Sequence, residues 1–237
     1  MKNETVFQRY EFKYLLTRDQ QARLLATGED LRPDVYSHSS IRNLYLDTPD
    51  FRLIRRSLEK PVYKEKLRLR SYGRTERDSP VFMELKKKYR SIVYKRRLTL
   101  PYDRALDCLT GACPWPETQI GGEIRYTVDF YPDLESRVFL AYERDSWLAP
   151  ESGLRITFDD AIRFRTEELT LDSDPWGTAL LGPDQVLMEL KAPGAIPLWM
   201  VRLLTEMRLY KTSFSKYGTA YQLLLEREWK DLLTKVK

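Results

Sequence analysis

Charged residues stand two positions apart in six short stretches of this chain: Glu11-Phe12-Lys13, Lys66-Leu67-Arg68-Leu69-Arg70, Glu84-Leu85-Lys86, Lys95-Arg96-Arg97, Arg155-Ile156-Thr157-Phe158-Asp159 and Glu189-Leu190-Lys191. In an extended strand, residues i and i+2 point to one face, so each stretch lays its charges on a single side. Phe12, Leu67, Leu69, Leu85, Ile156, Phe158 and Leu190 fill alternate positions. These residue types fit phosphoryl transfer, which needs positioning and charge neutralisation more than covalent help. Arginine forks grip phosphate oxygens in pairs, lysine adds a mobile point charge, and interspersed carboxylates suit Mg²⁺ or Mn²⁺.

Other chemistries find little footing. No glycine-rich loop leads into Lys-Ser or Lys-Thr, and no dinucleotide fingerprint follows a strand. The single histidine, His38, lies in Tyr36-Ser37-His38-Ser39, a polar stretch that reads as a turn and argues against a histidine-based triad. No Ser or Cys nucleophile has an adjacent base in a readable motif. Two cysteines and one histidine do not make the usual zinc site. Cys108 and Cys113 occupy a loop-like stretch and read as free thiols.

The elements that must position the charges follow from periodicity. Residues 6–14 read as a strand, and Thr17-Arg18-Asp19-Gln20 as a capping box opening a helix to about Glu29. Ile41 to Leu46 alternates as a strand and stops at Asp47-Thr48-Pro49-Asp50, ahead of a short basic helix to Leu58. Strands are expected over 62–72, 80–88 and 91–100, then a helical piece near Asp103 to Leu109. Further strands are expected over 123–131, 137–147, 152–163 and 185–192, with a long loop over 164–184. Two helices, Pro197 to Leu209 and Ser215 to Lys235, carry apolar stripes and close the chain.

A strand normally turns its apolar face inward and its charged face to water. Strands of this kind can instead close into a barrel with a cationic lumen, covered outside by helices. Spacing alone leaves both arrangements open. No repeat and no linker divides the chain, so one domain over 1–237 is expected.

Composition bounds the partners. Hydrophobic residues at 42% and aromatics at 12% suffice for a real core. Net charge is only +5, yet Arg55 to Arg97 holds sixteen Lys or Arg against five Asp or Glu, a local +11 that leaves −6 elsewhere. A local cationic field points to an anionic partner, although a solvated basic face would give the same count. No recognition helix or RNA-binding signature accompanies it, so nucleic acid is not an expected partner. No apolar run reaches the ~18 residues of a membrane span, and the N-terminus lacks a signal-peptide core. No transmembrane segment is expected, and the expected location is cytoplasmic.

Longer motifs occur in a definite order: Arg9-Tyr10-Glu11-Phe12-Lys13-Tyr14, Tyr45-Leu46-Asp47-Thr48, Lys66 to Tyr72, Glu84-Leu85-Lys86-Lys87-Lys88 and Lys95-Arg96-Arg97. They continue with Tyr142-Glu143-Arg144, Leu154 to Asp159, Met188-Glu189-Leu190-Lys191 and Phe214-Ser215-Lys216-Tyr217. The ordered set covers nearly the whole chain. It resembles the polyphosphate polymerase domain of the vacuolar transporter chaperone (VTC) family, within the triphosphate tunnel metalloenzymes.

That resemblance implies an α+β fold, an eight-stranded antiparallel β-barrel tunnel with flanking helices. It implies that Lys13, Arg68, Arg70, Lys86, Lys95, Arg144, Arg155 and Lys191 line the tunnel as catalytic residues, with Arg97 and Lys216 as further phosphate binders. Glu189 would hold the Mn²⁺ or Mg²⁺ cofactor, assisted by Glu11 and Glu84. The implied reaction moves the γ-phosphoryl of ATP onto a growing inorganic polyphosphate chain, so ATP and polyphosphate are the implied partners. No protein partner can be read.

The chain as read carries neither the sensor domain nor the membrane helices of eukaryotic members, and a stand-alone, bacterial-type version is expected. Glu11 stands in a bare Glu-x-Lys, with Arg9 where triphosphatase and adenylate-cyclase relatives carry another Glu. One fewer metal-binding carboxylate argues against a two-metal hydrolase. Two alternatives stay open: a tunnel-type triphosphatase acting on ATP or tripolyphosphate, and a catalytically silent polyphosphate-binding module.

Overall fold

Alternation of apolar and charged residues produces strands here, and each strand's apolar side is what the helices cover. A computed structural model describes residues 10–90 and 92–235; residues 6–9 of the first expected strand, Arg9 among them, lie outside that range. The chain forms two compact units, each assembled from three separated segments.

The first unit takes its described residues from 10–40, 142–162 and 181–214. Strand β1 (Tyr10–Thr17) leads into helix α1 (Arg18–Thr27) through the expected capping box. The Thr17 hydroxyl accepts from the Gln20 amide at 3.2 Å, and the Gln20 side chain accepts from the Thr17 amide at 2.9 Å. Strand β9 (Gln185–Ala192) pairs antiparallel with β1 and with β7 (Leu154–Arg165), of which residues to Ile162 belong here. Leu16, Ile156, Phe158, Met188 and Leu190 form a buried core with Leu24 of α1 and Met200 and Leu204 of helix α5 (Leu198–Glu206). Full burial of such a side chain is worth about 1.5–3 kcal/mol, so the apolar face fixes which side the charges must occupy.

The second unit takes its described residues from 41–90, 92–141, 163–180 and 215–235. Its centre is an antiparallel run: β2 (Arg32–Asp47, from Ile41 onward), β3 (Tyr63–Tyr72), β4 (Pro80–Tyr89) and β5 (Ile92–Pro101). Helix α2 (Arg52–Leu58) follows β2. Helices α3 (Tyr102–Thr110) and α4 (Gln119–Phe130) supply Ala105, Cys108 and Ile124 to a core with Leu67, Leu69, Val81, Met83, Leu85 and Phe139. Strand β6 (Glu135–Ala149, to Ala141 in this unit) contributes Phe139, and helix α6 (Lys216–Lys235) is the last described element. A two-residue strand, β8 (Thr178–Ala179), pairs with β7 inside the expected long loop. Arg165 organises that loop by donating to the carbonyls of Glu167, Glu168, Asp174 and Trp176.

Hydrogen bonding orders the strands β1-β9-β7-β6-β2-β3-β4-β5, with β8 on β7. The fold class is the expected one: α+β, an eight-strand antiparallel path with flanking helices. Among the described residues no helix is long and apolar enough to cross a membrane.

Two local expectations are corrected. Of residues 123–131, expected as a strand, 123–130 belong to α4 and Tyr131 is its C-cap. Their β-branched and aromatic content suggested extension, but Ile120, Ile124 and Val128 fall at i, i+4 spacing and pack on one core. Thr118 caps the helix, its hydroxyl accepting from Gly121 at 3.0 Å. His38 lies on β2, which begins at Arg32, rather than in a turn. Its Nδ1 is 2.8 Å from Asp145, whose hydrogen bond leads the upward shift of the imidazole pKa.

Candidate phosphate-binding and metal sites

In the second unit, four cations converge on Glu84. Register places Arg68 of β3 and Arg97 of β5 directly across from it on either side. Arg68 reaches Oε2 at 2.7 Å and Arg97 reaches Oε1 at 2.6 Å. Lys95 sits 2.7 Å from Oε1, and Arg70 is 3.7 Å from Oε2. The Glu84 side chain is 2% exposed, so this is a buried charge with its partners supplied. Burial alone would raise its pKa, but the charges of Arg68, Arg70 and Lys95 outweigh burial and hold it well below the carboxylate range.

Side chains from β2 aim the arginines. Tyr45 accepts from Arg68 Nη1 at 2.9 Å, and Asn43 Oδ1 accepts from Arg70 Nε at 2.9 Å. Asn43 is itself fixed by donating to the Leu140 carbonyl at 3.0 Å. Lys95 is lowered to about 8: desolvation leads, Glu84 opposes it, and the charges of Arg97 and Arg70 push the same way as burial. The cluster can hold an anion in place of, or alongside, its internal carboxylate.

In the first unit, a second group surrounds Glu189. Lys13 of β1 is its direct cross-strand partner, at 3.3 Å, and Lys13 also lies 3.6 Å from Glu11. Lys191 is 3.2 Å from Glu189 Oε2, and Arg144 is 3.7 Å from it. Arg144 is held chiefly by Asp159, through Nε at 2.5 Å and Nη2 at 2.7 Å, a paired fork. Glu11 and Arg155 both stand across from Lys191 in register, but Arg155 turns to Asp34 at 2.8 Å.

A family model described as VTC domain matches residues 8–225. The chain belongs to the VTC-domain family. No curated protein shows significant similarity to it. Among solved structures, a Bacillus halodurans protein described as a candidate adenylate cyclase matches with TM-score 0.53 at 16% identity, covering 86% of this chain and 92% of that one. A Hippeastrum protein described as a candidate adenylyl cyclase with a dominant triphosphatase activity matches with TM-score 0.50 at 14% identity, covering 89% and 94%. At such identities the likeness shows the fold, the triphosphate tunnel type of α+β sheet.

The VTC motif residues therefore divide between two clusters. Arg68, Arg70, Lys95 and Arg97 gather on Glu84, while Lys13, Lys191, Arg144 and Glu11 gather on Glu189. Lys86 stands one rung beyond Glu84, opposite Lys66 and Lys95. Lys216 opens α6 beside Ser215, whose hydroxyl accepts from Lys66 at 3.2 Å. Sequence reasoning assigned no role to Asp159, Asp34, Asn43 or Tyr45. Asp159 and Tyr45 stood inside the ordered motifs and Asn43 two residues before Tyr45, while Asp34 gave no signal; in every case the partner lay on another strand.

Donor chemistry separates the three metal candidates of this VTC domain. Glu84 does not fit a cation, because guanidinium and ammonium donors hold its two oxygens at 2.6–2.7 Å, whereas the cations around Glu189 stand 3.2–3.7 Å from it. Glu189, with Glu11 nearby across Lys13, suits a hydrated Mg²⁺ or Mn²⁺ bound by one or two carboxylates plus substrate phosphates. Thr157 is the direct cross-strand partner of Glu189, and its buried hydroxyl has no hydrogen-bond partner among the described residues. An orphan oxygen on that face is what a metal-bound water would satisfy. Among the described residues, no three His, Cys, Asp or Glu side chains form a protein-only cage.

Proposed function

We propose that this VTC domain is a divalent-metal-requiring polyphosphate polymerase that transfers the ATP γ-phosphoryl to a growing inorganic polyphosphate chain. The observation that carries the reading is the gathering of Arg68, Arg70, Lys95 and Arg97 on one buried carboxylate. Such a crowd is far more positive than its internal counter-ion can balance, and it suits a dense polyanion. Arg68, Arg70, Lys95, Arg97 and Lys86 grip phosphate oxygens, and Lys216 adds a further cation. Lys13, Arg144, Arg155 and Lys191 position the phosphates near Glu189, which with Glu11 holds Mn²⁺ or Mg²⁺. The ion, when bound, neutralises charge on the reacting phosphate oxygens. Glu84 keeps the arginine forks parallel and spaced before substrate arrives.

Purified protein supplied with ATP and Mn²⁺ should accumulate acid-stable polyphosphate. Absence of polymer under every primer and metal condition would refute the proposal. The triphosphatase activity described for the Hippeastrum protein of the same fold favours a hydrolytic second reading. Free phosphate without polymer would establish that reading instead.

A further inference from the structure

The β3–β4–β5 sheet has two faces with opposite electrostatic logic. On one face, the cross-strand neighbours are matched: Leu67 faces Leu85, Glu65 faces Lys87, and Tyr63 faces Tyr89. Glu65 there also accepts from Tyr131 and Tyr63, each at 2.7 Å. The face that carries Glu84 departs from this. Beyond the Arg68–Glu84–Arg97 rung, Lys66 faces Lys86 and Lys86 faces Lys95; one rung further, Lys64 faces Lys88.

Like charges placed directly opposite on antiparallel strands destabilise the sheet. A structural explanation covers part of this. Lys95 folds back to Glu84 at 2.7 Å, and Lys66 reaches Ser215. It does not cover the outer rung. Lys64 donates to the Ser57 carbonyl at 2.9 Å, which uses one of three ammonium protons. Among the described residues no carboxylate lies within ion-pair distance of Lys64 or Lys88. Burial first, then the charges of Lys88, Lys86 and Lys60, pull the Lys64 pKa below the usual lysine range.

We propose that Lys64 and Lys88 form an outer subsite for a linear polyphosphate, engaging phosphates beyond those held at the Glu84 rung and so selecting for chain length. The subsite rests on the polyphosphate reading of the Glu84 cluster and extends it. Successive same-face rungs lie ~6.7 Å apart along a strand, so the outer lysines stand ~13 Å along from the Arg68 rung. A short triphosphate bound at Glu84 does not reach them; a long chain lying along the face does. The ligand supplies the negative charge that the like-charged rung lacks.

Binding measured without ATP or metal tests this. Affinities of the parent and of Lys64→Gln/Lys88→Gln are compared for tripolyphosphate and for long-chain linear polyphosphate. The double variant should lose about tenfold or more in long-chain affinity, keep its tripolyphosphate affinity, and show a salt slope shallower by about 1 to 2. Removing the repulsion should also leave the free variant at least as heat-stable as the parent, whereas Lys64→Arg/Lys88→Arg should retain long-chain binding. Equal long-chain affinity in parent and Gln variant overturns the subsite alone. So does an equal loss for both ligands, which would make the lysines a diffuse field. A parent that binds no polyphosphate of any length overturns the functional reading and the subsite with it.

Discussion

Arg68 and Glu84 face each other across β3 and β4, joined through Arg68 Nη2 at 2.7 Å and Nε at 2.9 Å to one carboxylate oxygen. The other oxygen is shared by Lys95 and Arg97. Glu84 is therefore the hub of its cluster rather than a ligand waiting for a metal.

Replacing Glu84 by Gln removes the carboxylate that, among the described residues, pairs with Arg97 and Lys95. Breaking a buried ion pair on one side costs about 3–5 kcal/mol, so the free variant should unfold at clearly lower denaturant concentration. Tripolyphosphate should then stabilise the variant more than the parent. Denaturant unfolding with and without tripolyphosphate measures both; equal stabilisation would show that Glu84 does not balance these cations.

Anion binding should depend on pH through Lys95, whose pKa falls from 10.5 to about 8. Between those values the unfolded chain holds a proton that the native lysine has lost. Stability from this group therefore rises with pH across that window, while its charge, and the anion affinity it carries, falls. Metal-free tripolyphosphate affinity should weaken between about pH 7 and 9 once the ligand's own titration is subtracted. Lys95→Arg, charged throughout, should flatten the profile; an unchanged profile would remove Lys95 from the site.

Glu189 should separate turnover from binding. Glu189→Gln should abolish metal-dependent turnover yet keep or tighten metal-free polyphosphate binding, because a negative charge leaves the company of Lys13, Lys191 and Arg144. Thr157→Val should raise the metal concentration needed for half-maximal activity by about 10-fold or more, as outer-shell changes do. Calorimetric metal titration beside steady-state kinetics reads the two effects apart.

Asp47 should prove architectural. Its carboxylate accepts from the backbone amides of Thr48 at 2.9 Å, Leu53 at 2.8 Å and Ile54 at 3.0 Å, and from the Tyr217 hydroxyl at 2.8 Å. It thus caps α2 and ties the base of α6 to the same point. Asp47→Ala should cost about 2 kcal/mol or more, and Tyr217→Phe about 1 kcal/mol. Tripolyphosphate affinity of the folded protein should stay within about twofold of the parent, read by calorimetry below the melting range.

Much of the fold was legible because burial enforces period. The capping box at Thr17 and Gln20, the three strands of β3 to β5 and the two closing helices stand within a few residues of expectation. The strand expected at 123–131 failed because Ile, Tyr and Thr weigh toward extension locally, while three apolar residues at helical spacing found a common core. The site was legible as a set of residues but not as a set of partnerships. Glu84 and Glu189 look alike in sequence, each two residues before a lysine. Glu84 has an arginine directly across on both neighbouring strands; Glu189 has Lys13 across on one strand and, on the other, Thr157, whose hydroxyl has no hydrogen-bond partner among the described residues.

Alternation along each strand was enough to say which side chains share a face, since a two-residue period leaves no choice once one face must be dry. Which charge then meets which depends on strand register, and register is a long-range outcome of packing that neighbouring residues do not encode. Tertiary structure alone decided that Arg68 and Arg97 flank Glu84, that Arg155 turns to Asp34, and that Lys64 stands against Lys88.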